Sequence, residues 1–303
     1  MLNDAKFRLR KQMLTIFTKR HYFTMKNIWV TSIILLLASC TSGESQIKEI
    51  ATLQLKEASG LEYLNGELWT HEDSGNTNKI YNIGLDGSIK KEVTITNAKN
   101  NDWEDIAAGK QGNLYIGDFG NNHNNRKNLA IYKLDAGNLS SVAYTVSFYY
   151  PEQKEFPPKK SNLIYDVESF FEHNGNFYLF TKNRSKGFDG SVNIYMVPNK
   201  QGNHAAKLMG TIVTCDNYRK CAITSADISP DGTKVILLSG AKIWLITNFG
   251  TDNFAGGKIK EIDLHHVSQK EGICFKDNDT LYIVDEKDKK EGGKLYEAKL
   301  SKL

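Results

Sequence analysis

Ser59-Gly-Leu-Glu-Tyr-Leu-Asn-Gly-Glu-Leu-Trp69 decides the fold, because it reads as a β-strand, an Asn-Gly turn and a returning strand. Asn-Gly between two β-type runs is a strong signal for a β-hairpin. The same pattern returns four more times, in stretches that begin at Glu104, Glu168, Ala226 and Glu271. Five copies of one hairpin predict a repeat protein made of small antiparallel sheets.

A third strand follows each hairpin and carries an aliphatic residue before an aromatic one. The aromatic residues lie 51, 63, 49 and 52 positions apart, and they are Tyr81, Tyr132, Tyr195, Trp244 and Tyr296. A period of about fifty residues with several strands in each repeat is typical of β-propeller blades. Fourth strands are predicted at 90–96, 142–150, 206–214 and 258–264. The prediction is therefore all-β, a β-propeller of five four-stranded blades, with six blades as the alternative.

The two ends of the chain are complementary. The last repeat lacks a fourth strand, because the sequence stops at Leu303, whereas an alternating segment at 47–55 precedes the first hairpin. We predict that this N-terminal strand completes the last blade and covers an edge that would otherwise be open to aggregation. A β-sandwich of similar strand count explains neither the repeat nor the ends.

The N-terminus carries an export signal. Residues 28–38 form an apolar run that is too short to span a bilayer and follows Lys26. The run ends in Leu37-Ala38-Ser39-Cys40, which resembles the lipobox of bacterial lipoproteins. The alternatives are a cleaved signal peptide with an incidental Cys and an uncleaved anchor.

The resemblance implies that Cys40 is lipidated, with acyl chains such as palmitate, and becomes the mature N-terminus. We expect a signal peptide at 1–39, with Met25 as an alternative start, a tether at 40–46 and a propeller domain at 47–303. The expected location is the bacterial cell envelope, anchored to the outer membrane.

The charge of the mature chain argues against nucleic acid as a partner. Removing residues 1–39 takes away seven basic residues and one acidic residue, which leaves 32 basic and 34 acidic residues. The net charge is then −2 and gives no support for nucleic-acid binding. The expected partners are the membrane, through the lipid, and a small ligand or an envelope protein, with the chain itself a monomer.

The remaining cysteines fit an oxidising compartment. Cys215 and Cys221 flank a short polar loop, and Cys274 lies within an apolar run. We predict a disulfide between Cys215 and Cys221 and a buried, free Cys274. Two free surface thiols at 215 and 221 are the alternative.

Acidic residues recur where the hairpin strands meet one face of the ring, around the central channel. The residues that begin the first strands are Ser59, Glu104, Glu168, Ala226 and Glu271, with Asp105 and Asp227 one place later. The residues that end the second strands are Glu72, Asp118, Thr181, Ser239 and Asp285. Crowded carboxylates favour a hard cation, so Glu104, Glu168 and Glu271 are candidate Ca²⁺ ligands. Alternatively, these acids bond backbone amides or pair with Lys and Arg.

Long polar loops share this face and supply candidate site residues. The candidates for ligand binding are His71, Asp73, Asn121, Arg126 and Lys182, and the candidates for catalysis are Asp118, Asp285 and His123. Loops of this kind at the end of a β-scaffold are common places for binding sites. The sequence contains no nucleophile elbow, zinc-protease motif, phosphate loop or dinucleotide fingerprint.

The repeats resemble the TolB/NHL-like propellers, in particular the SdiA-regulated family, which also begins with a Ser-Gly-Leu hairpin. The starts Glu271-Gly272-Ile273 and Glu168-Ser169-Phe170 are similar to the metal-binding strand start of gluconolactonase and regucalcin propellers. This second resemblance implies Ca²⁺ near Glu104, Glu168 and Glu271, with Asp118 and Asp285 beneath a substrate. A more distant likeness is to esterase-like phytase propellers, whose dense Asp runs the chain lacks.

Three functions remain open. The first is a propeller that binds a small ligand or a protein partner at an acidic channel mouth without assigned chemistry. The second is a Ca²⁺-dependent hydrolase of lactones or phosphoesters, with Asp118 or Asp285 as the base. The third is an assembly scaffold that uses the sides of the blades.

Overall fold

The computed structural model describes residues 46–289 and 291–303, apart from the side chain of Lys110. The predicted signal peptide, Cys40 and tether residues 41–45 lie outside the described residues. No helix in the described ranges is long and apolar enough to cross a membrane.

Five small antiparallel sheets form the blades of a propeller, as the repeats predict. The described chain begins with β1 (Lys48–Thr52). Blade 1 then contains β2 (Ala58–Leu64), β3 (Glu67–Glu72), β4 (Lys79–Ile83) and β5 (Ile89–Thr94). Blade 2 contains β6 (Trp103–Ala108), β7 (Leu114–Asp118), β8 (Leu129–Asp135) and β9 (Asn138–Tyr149). Blade 3 contains β10 (Val167–His173), β11 (Asn176–Thr181), β12 (Ser191–Pro198) and, after the short β13 (Gly202–Ala205), β14 (Lys207–Val213).

Blades 4 and 5 complete the ring. Blade 4 contains β15 (Ile223–Ile228), β16 (Lys234–Ser239), β17 (Lys242–Thr247) and β18 (Lys258–Asp263). Blade 5 begins with β19 (Lys270–Phe275) and β20 (Thr280–Asp285) and continues, after a ribbon of β21 (Lys287–Asp288) and β22 (Glu291–Gly292), with β23 (Lys294–Lys299). The short β13 pairs in parallel with the outer strand β9. The one α-helix in the described ranges is α1 (Tyr218–Cys221).

The N-terminal strand closes the ring as predicted. β1 lies antiparallel to β23, with Lys48 opposite Glu297 and Thr52 opposite Lys294. Ile47 is buried beside this strand, and Leu53 and Leu55 are buried just after it. The first and last segments of the described chain therefore share one blade, and the edge of β23 is covered.

Apolar side chains fill the spaces between neighbouring blades. Phe119 and Phe170 pack edge-on between blades 2 and 3, with ring centroids 5.2 Å apart. Phe171 and Phe254 make a similar contact between blades 3 and 4 at 5.3 Å. Similar apolar clusters join the other pairs of blades. The core therefore lies in layers around the ring, and the channel at its centre is lined by polar groups.

Tight turns fix one face of the ring. Asn65 and Gly66 both have positive φ, at 53° and 88°, and Asn174 and Gly175 repeat this at 52° and 77°. Two residues of positive φ are what a two-residue hairpin turn requires, and Asn-Gly adopts it at low cost. The opposite face, where the innermost strands begin, carries the long loops. We call this face the mouth.

Each innermost strand has a β-bulge, and in four blades the bulge falls at the same position, directly after the first residue of the strand. Glu104, Thr224, Glu168 and Glu271 are the extra residues between two regular pairs in β6, β15, β10 and β19. The expected alignment of Ala226 with the glutamates is thus wrong by two positions, because the bulge in blade 4 falls at Thr224. Bulges re-aim side chains at the rims of sheets, and here they occur near the mouth.

The innermost strands of blades 5, 1 and 2 approach closely through glycine. A Cβ added at Gly272 would lie 2.7 Å from the carbonyl carbon of Gly60, and one added at Gly60 would lie 2.7 Å from the amide of Ile106. Gly60 also has a φ of +66°. Both positions therefore exclude larger residues, and the channel is narrow at this level.

Candidate functional site

A buried ion-pair network stands at one side of the mouth. Lys182 Nζ lies 2.8 Å from Glu168 Oε2, and Arg184 donates from Nε to Asp166 Oδ2 at 2.6 Å. Arg184 Nη2 also contacts Glu168. Glu168 and Asp166 are almost completely buried, and Lys182 is 8% exposed. The network fixes both cations with no freedom to reorient.

The same network sets the pKa values of its acids. Burial alone would raise the pKa of Glu168, but Lys182 and Arg184 outweigh it and lower that pKa to about 2. Burial and the neighbouring Glu168 carboxylate raise the pKa of Asp166 to about 7, against the opposing effect of Arg184. Glu168 is therefore the ionised partner of the two cations.

Three other acids converge beside this network. Oxygens of Asp73, Asp102 and Glu104 all lie within 4.8 Å of one another. Burial, followed by repulsion from Glu168 and Asp73, raises the pKa of Glu104 well above its usual value. Burial also raises the pKa of Asp73 to about 6, with Asp102 and Glu168 adding to the effect. We call these three residues the acid trio.

Glu104 has an unusual environment within the trio. Its side chain is 6% exposed, yet no donor among the described residues bonds its carboxyl group. Glu104 lines the inner pocket, so its carboxyl group is available to a cation or to a donor from a ligand. The oxygens of the trio are hard ligands of the kind that suits Ca²⁺.

The three glutamates predicted as Ca²⁺ ligands line one pocket, but their carboxyl oxygens do not form one group of converging ligands. Glu168 is neutralised by Lys182 and Arg184, so it needs no metal. Glu271 does not belong to the group of converging carboxylates, which in the described chain is the acid trio. Glu104 alone is shared between the predicted set and the trio.

A cavity opens at the mouth between blades 3, 4 and 5. Its volume is about 560 Å³, and its lining includes Lys182, Arg184, Tyr218, Arg219, Glu271 and Glu286. A second pocket of about 200 Å³ shares Lys182, Arg184 and Glu271 with it and adds Asp73, Glu104 and Glu168. The two pockets therefore form one polar cavity that extends from the rim to the channel.

The blade 5 side of this cavity is lined by acidic residues. Burial raises the pKa of Glu271 to about 8; Lys182 opposes this, and Glu168 adds to it. Burial and the carboxylates of Asp73 and Glu57 raise the pKa of Glu286 to about 7. Asp288 and Glu291 lie on the same side. We call Glu271, Glu286, Asp288 and Glu291 the acid wall.

Lys270 supports the loop behind this wall. It is completely buried at a position that the other blades fill with Ala58, Trp103, Val167 and Ile223. Its ammonium group donates to the carbonyl of His266 at 3.0 Å, to Ser268 at 3.0 Å and to the carbonyl of Gly240 at 3.1 Å. Burial lowers its pKa to about 8. Lys270 therefore holds the loop before β19 against blade 4.

The disulfide lies beside the cavity. Cys215 and Cys221 are joined, and Cys274 is buried and free. The bridged segment presents Tyr218, whose hydroxyl lies 2.5 Å from Arg184 Nη1 and whose ring packs edge-on against Phe188. The bridge thereby places an aromatic side chain at the rim.

The two aspartates predicted as catalytic bases have structural partners. Asp118 accepts hydrogen bonds from Asn101, Tyr132, Arg126 and the amide of Asp102, at 2.7 to 3.1 Å. These donors occupy the four acceptor positions of a carboxylate. Asp285 accepts from the amide of Lys294 and the hydroxyl of Tyr296, both at 2.8 Å. Both residues are fully buried, and neither lines the mouth cavity.

The same arrangement recurs in the other blades. Thr181 accepts from the amide of Asn193 at 3.0 Å, and Ser239 from that of Lys242 at 3.2 Å. The residue that ends each of these second strands thus caps the start of the third strand. The sequence analysis left open the alternative that the acids of this column bond backbone amides, and Asp285 does so.

The other predicted site residues are dispersed. Asp73 and Lys182 line the mouth pocket. His71 is fully buried against the ring of Trp103, and burial lowers its pKa to about 4. Asn121 is buried within its own loop, where its side chain accepts from the amide of Arg126 at 2.9 Å. Arg126 is held by Asp118, and His123 is exposed outside the cavity lining.

Deeper acids join the innermost strands to one another. Glu62 accepts from the amide of Ala108 at 2.6 Å, and Asp227 accepts from that of Phe275 at 2.7 Å. The Asp105 carboxylate accepts hydrogen bonds from the amide of Phe170 in blade 3 at 3.2 Å and from the hydroxyl of Ser225 in blade 4 at 3.3 Å. These side chains satisfy amides on the edges of the innermost strands, where no neighbouring strand supplies an acceptor.

Sequence reasoning missed one repeated signal. Two residues before each of the four coinciding bulge positions lies another mouth residue, and the set is Asp102, Asp166, Ala222 and Gln269. Asp102-Trp-Glu104 and Asp166-Val-Glu168 show this Asp-x-Glu pattern directly. Asp102 and Asp166, which belong to the trio and to the ion-pair network, are identifiable from it.

Comparisons with known proteins give no family and only distant structural neighbours. No protein-family model matches the chain, and no curated protein is similar in sequence. A gluconolactonase from Xanthomonas campestris aligns over 79% of this chain and 71% of its own, with 12% identity and a TM-score of 0.44. An aldose sugar dehydrogenase from Streptomyces coelicolor, solved with bound PQQ, aligns over 82% and 96%, with 10% identity and a TM-score of 0.48. At such identities the likeness concerns the propeller fold alone, and the resemblance to the SdiA-regulated family stays a prediction.

Proposed function

We propose that the protein binds a small polar ligand in the mouth cavity. The observation that carries this proposal is a cavity of about 560 Å³ that continues into the pocket of about 200 Å³ above the channel. Volumes in this range accommodate small molecules. Within it, Lys182 and Arg184 are held in place by buried carboxylates, so a ligand would meet groups that are already oriented.

Blocking the cavity without changing its charges tests this proposal. Val267 is 46% exposed and lines the cavity, so Val267→Trp should fill part of it. We expect at least a tenfold loss of affinity, by isothermal titration calorimetry, for any small probe that the wild type binds. Leu85→Trp is the control, since Leu85 is 51% exposed in a groove on the opposite face. Equal binding by both variants would refute the mouth as the site.

The second candidate function is a cation-dependent hydrolase. The acid trio supports it, because three carboxylates with oxygens within 4.8 Å of one another offer a place for Ca²⁺. A bound cation would polarise a carbonyl or phosphoryl group of a ligand in the adjoining cavity. Asp118 and Asp285 are not proposed as its base, because both are fully buried and neither lines the mouth cavity.

Thermal unfolding with and without millimolar Ca²⁺ tests the cation site. A ligand at about 100 times its Kd stabilises by about 2.7 kcal/mol, so the midpoint should rise by several degrees. The rise should be larger at pH 8 than at pH 5, because the pKa of Asp73 is about 6 and the protonated acid is a poor ligand. Asp73→Asn should abolish the rise and the exposed Asp231→Asn should keep it. A midpoint independent of Ca²⁺ at both pH values would exclude this candidate.

Anchoring through Cys40 is part of the proposal. β1 is the outer strand of blade 5 and runs toward the mouth, with its first residue opposite Glu297 near the end of β23. The described chain therefore begins on the face with the tight turns.

A further inference from the structure

The two sides of the mouth cavity carry opposite charge. Lys182, Arg184 and Arg219 lie on the side formed by blade 3 and the bridged segment before blade 4, and the acid wall lies on blade 5. The separation follows from the chain, because the cations come from segments 182–184 and 218–221 and the acids from 271–291. A ligand in this cavity meets a positive wall and a negative wall at once.

The positive wall has donors to spare. Arg219 is exposed along the cavity and forms no ion pair among the described residues. Lys182 uses one of its three protons on Glu168. An anionic group of a ligand could therefore accept from both without breaking the buried network.

The acid wall forms no direct ion pairs within the described chain. No Lys or Arg in the ranges 46–289 and 291–303 forms an ion pair with Glu271, Glu286, Asp288 or Glu291. The side chain of Glu286 is instead bonded by the neutral amide of Gln269. Lys182 only partly offsets the effect of burial on Glu271 and Glu286, and a cationic ligand group would stabilise their ionised forms.

A second observation points to a ligand in the same cavity. Glu104 is 6% exposed, its carboxyl group accepts no hydrogen bond from the described residues, and it lines the inner pocket together with Glu271 and Glu286. A ligand with N–H donors would satisfy it.

We infer that the mouth cavity recognises a small zwitterion, with its ammonium group toward the acid wall and its carboxylate toward Arg219 and Lys182. The inference rests on the proposed function and names its ligand class. Amino acids and related ω-amino acids belong to this class. Tyr218 at the rim adds an aromatic surface for the carbon chain of such a ligand.

A matched set of probes tests the inference by calorimetric titration of the protein. The probes are 6-aminohexanoate, hexylamine, hexanoate and the neutral polyol sorbitol, followed by glycine, β-alanine and 4-aminobutyrate to vary the charge separation. We expect one of the zwitterions to bind at least tenfold more tightly than hexylamine or hexanoate. The chain length of the zwitterion that binds most tightly indicates the distance between the two walls.

Variants of each wall assign the two ends. Arg219→Gln should lower the affinity for the preferred zwitterion about tenfold and leave the affinity for hexylamine unchanged. Glu286→Gln should also lower the affinity for the zwitterion about tenfold, but it should leave the affinity for hexanoate unchanged. Glu152→Gln and Lys159→Gln, in a separate surface pocket, are the controls and should change neither.

Two other outcomes overturn the inference in distinguishable ways. If sorbitol binds, Val267→Trp abolishes that binding, and no zwitterion binds more tightly than sorbitol, the inference is wrong and the proposed function stands. If no probe binds, both fail.

Discussion

A protein that starts at Lys56 instead of Gln46 is expected to lose its cooperative fold. The missing segment contains β1, which pairs with β23, and the buried side chains of Ile47, Leu53 and Leu55. Each of these side chains contributes about 1.5–3 kcal/mol by burial, so the total approaches the whole stability of a typical domain, about 5–15 kcal/mol. The exposed edge of β23 should also favour aggregation. Circular dichroism and size-exclusion chromatography measure both effects.

A synthetic peptide of residues 46–56 is the control for this truncation. If ring closure is the cause, the peptide should add as a strand to β23 and restore a monomeric, cooperatively melting protein. A peptide with Leu53 and Leu55 replaced by Asn should not. A truncated protein that stays monomeric and melts like the longer one would contradict closure by β1.

Glu168→Gln is expected to lower the free energy of unfolding by about 3–5 kcal/mol, because it leaves two buried cations without their shared counter-ion. The affected cations are Lys182 and Arg184. Urea denaturation at pH 7 measures the effect.

The pH dependence gives this prediction a signature. The pKa of Glu168 falls from its usual 4.5 to about 2 in the folded protein. A depressed pKa contributes stability that is present above about pH 4.5 and lost as the pH falls toward 2. Glu168→Gln should therefore flatten the acid side of the stability profile.

An exposed ion pair supplies the control for Glu168. Lys79 and Glu92 lie 2.7 Å apart with side chains 32% and 48% exposed, and Glu92→Gln should cost less than about 1 kcal/mol. Adding Lys182→Met to Glu168→Gln should recover part of the loss, because one stranded charge is removed. If Glu168→Gln costs no more than Glu92→Gln, the network does not stabilise the mouth.

The fold was predictable from the sequence because its signals are local and repeated. Asn65-Gly66 and Asn174-Gly175 each require a two-residue turn, and five copies at a steady period leave few alternatives to a ring. The complementary ends, 47–55 and 294–299, then give five blades and a closed edge.

The site was only partly predictable, because its geometry depends on long-range pairing. Sequence alignment of the hairpins places Glu168 at the mouth but does not show that Lys182 and Arg184 neutralise it. Asp118 looks like an unpaired acid in the sequence, but in the fold its carboxylate accepts hydrogen bonds from Arg126 and Tyr132, which follow it in the chain. The β-bulge at Thr224 shifts the register of blade 4, and no residue type marks that shift.

The most direct test of the central claim, that the mouth cavity is the ligand site, is an NMR titration of the amide-labelled protein with the zwitterion and polyol probes. The account predicts saturable shifts at Lys182, Arg219, Gln269 and Glu286, which line one cavity. Shifts that instead cluster around Tyr63, Leu68 and Leu85, in the groove of the opposite face, would contradict it.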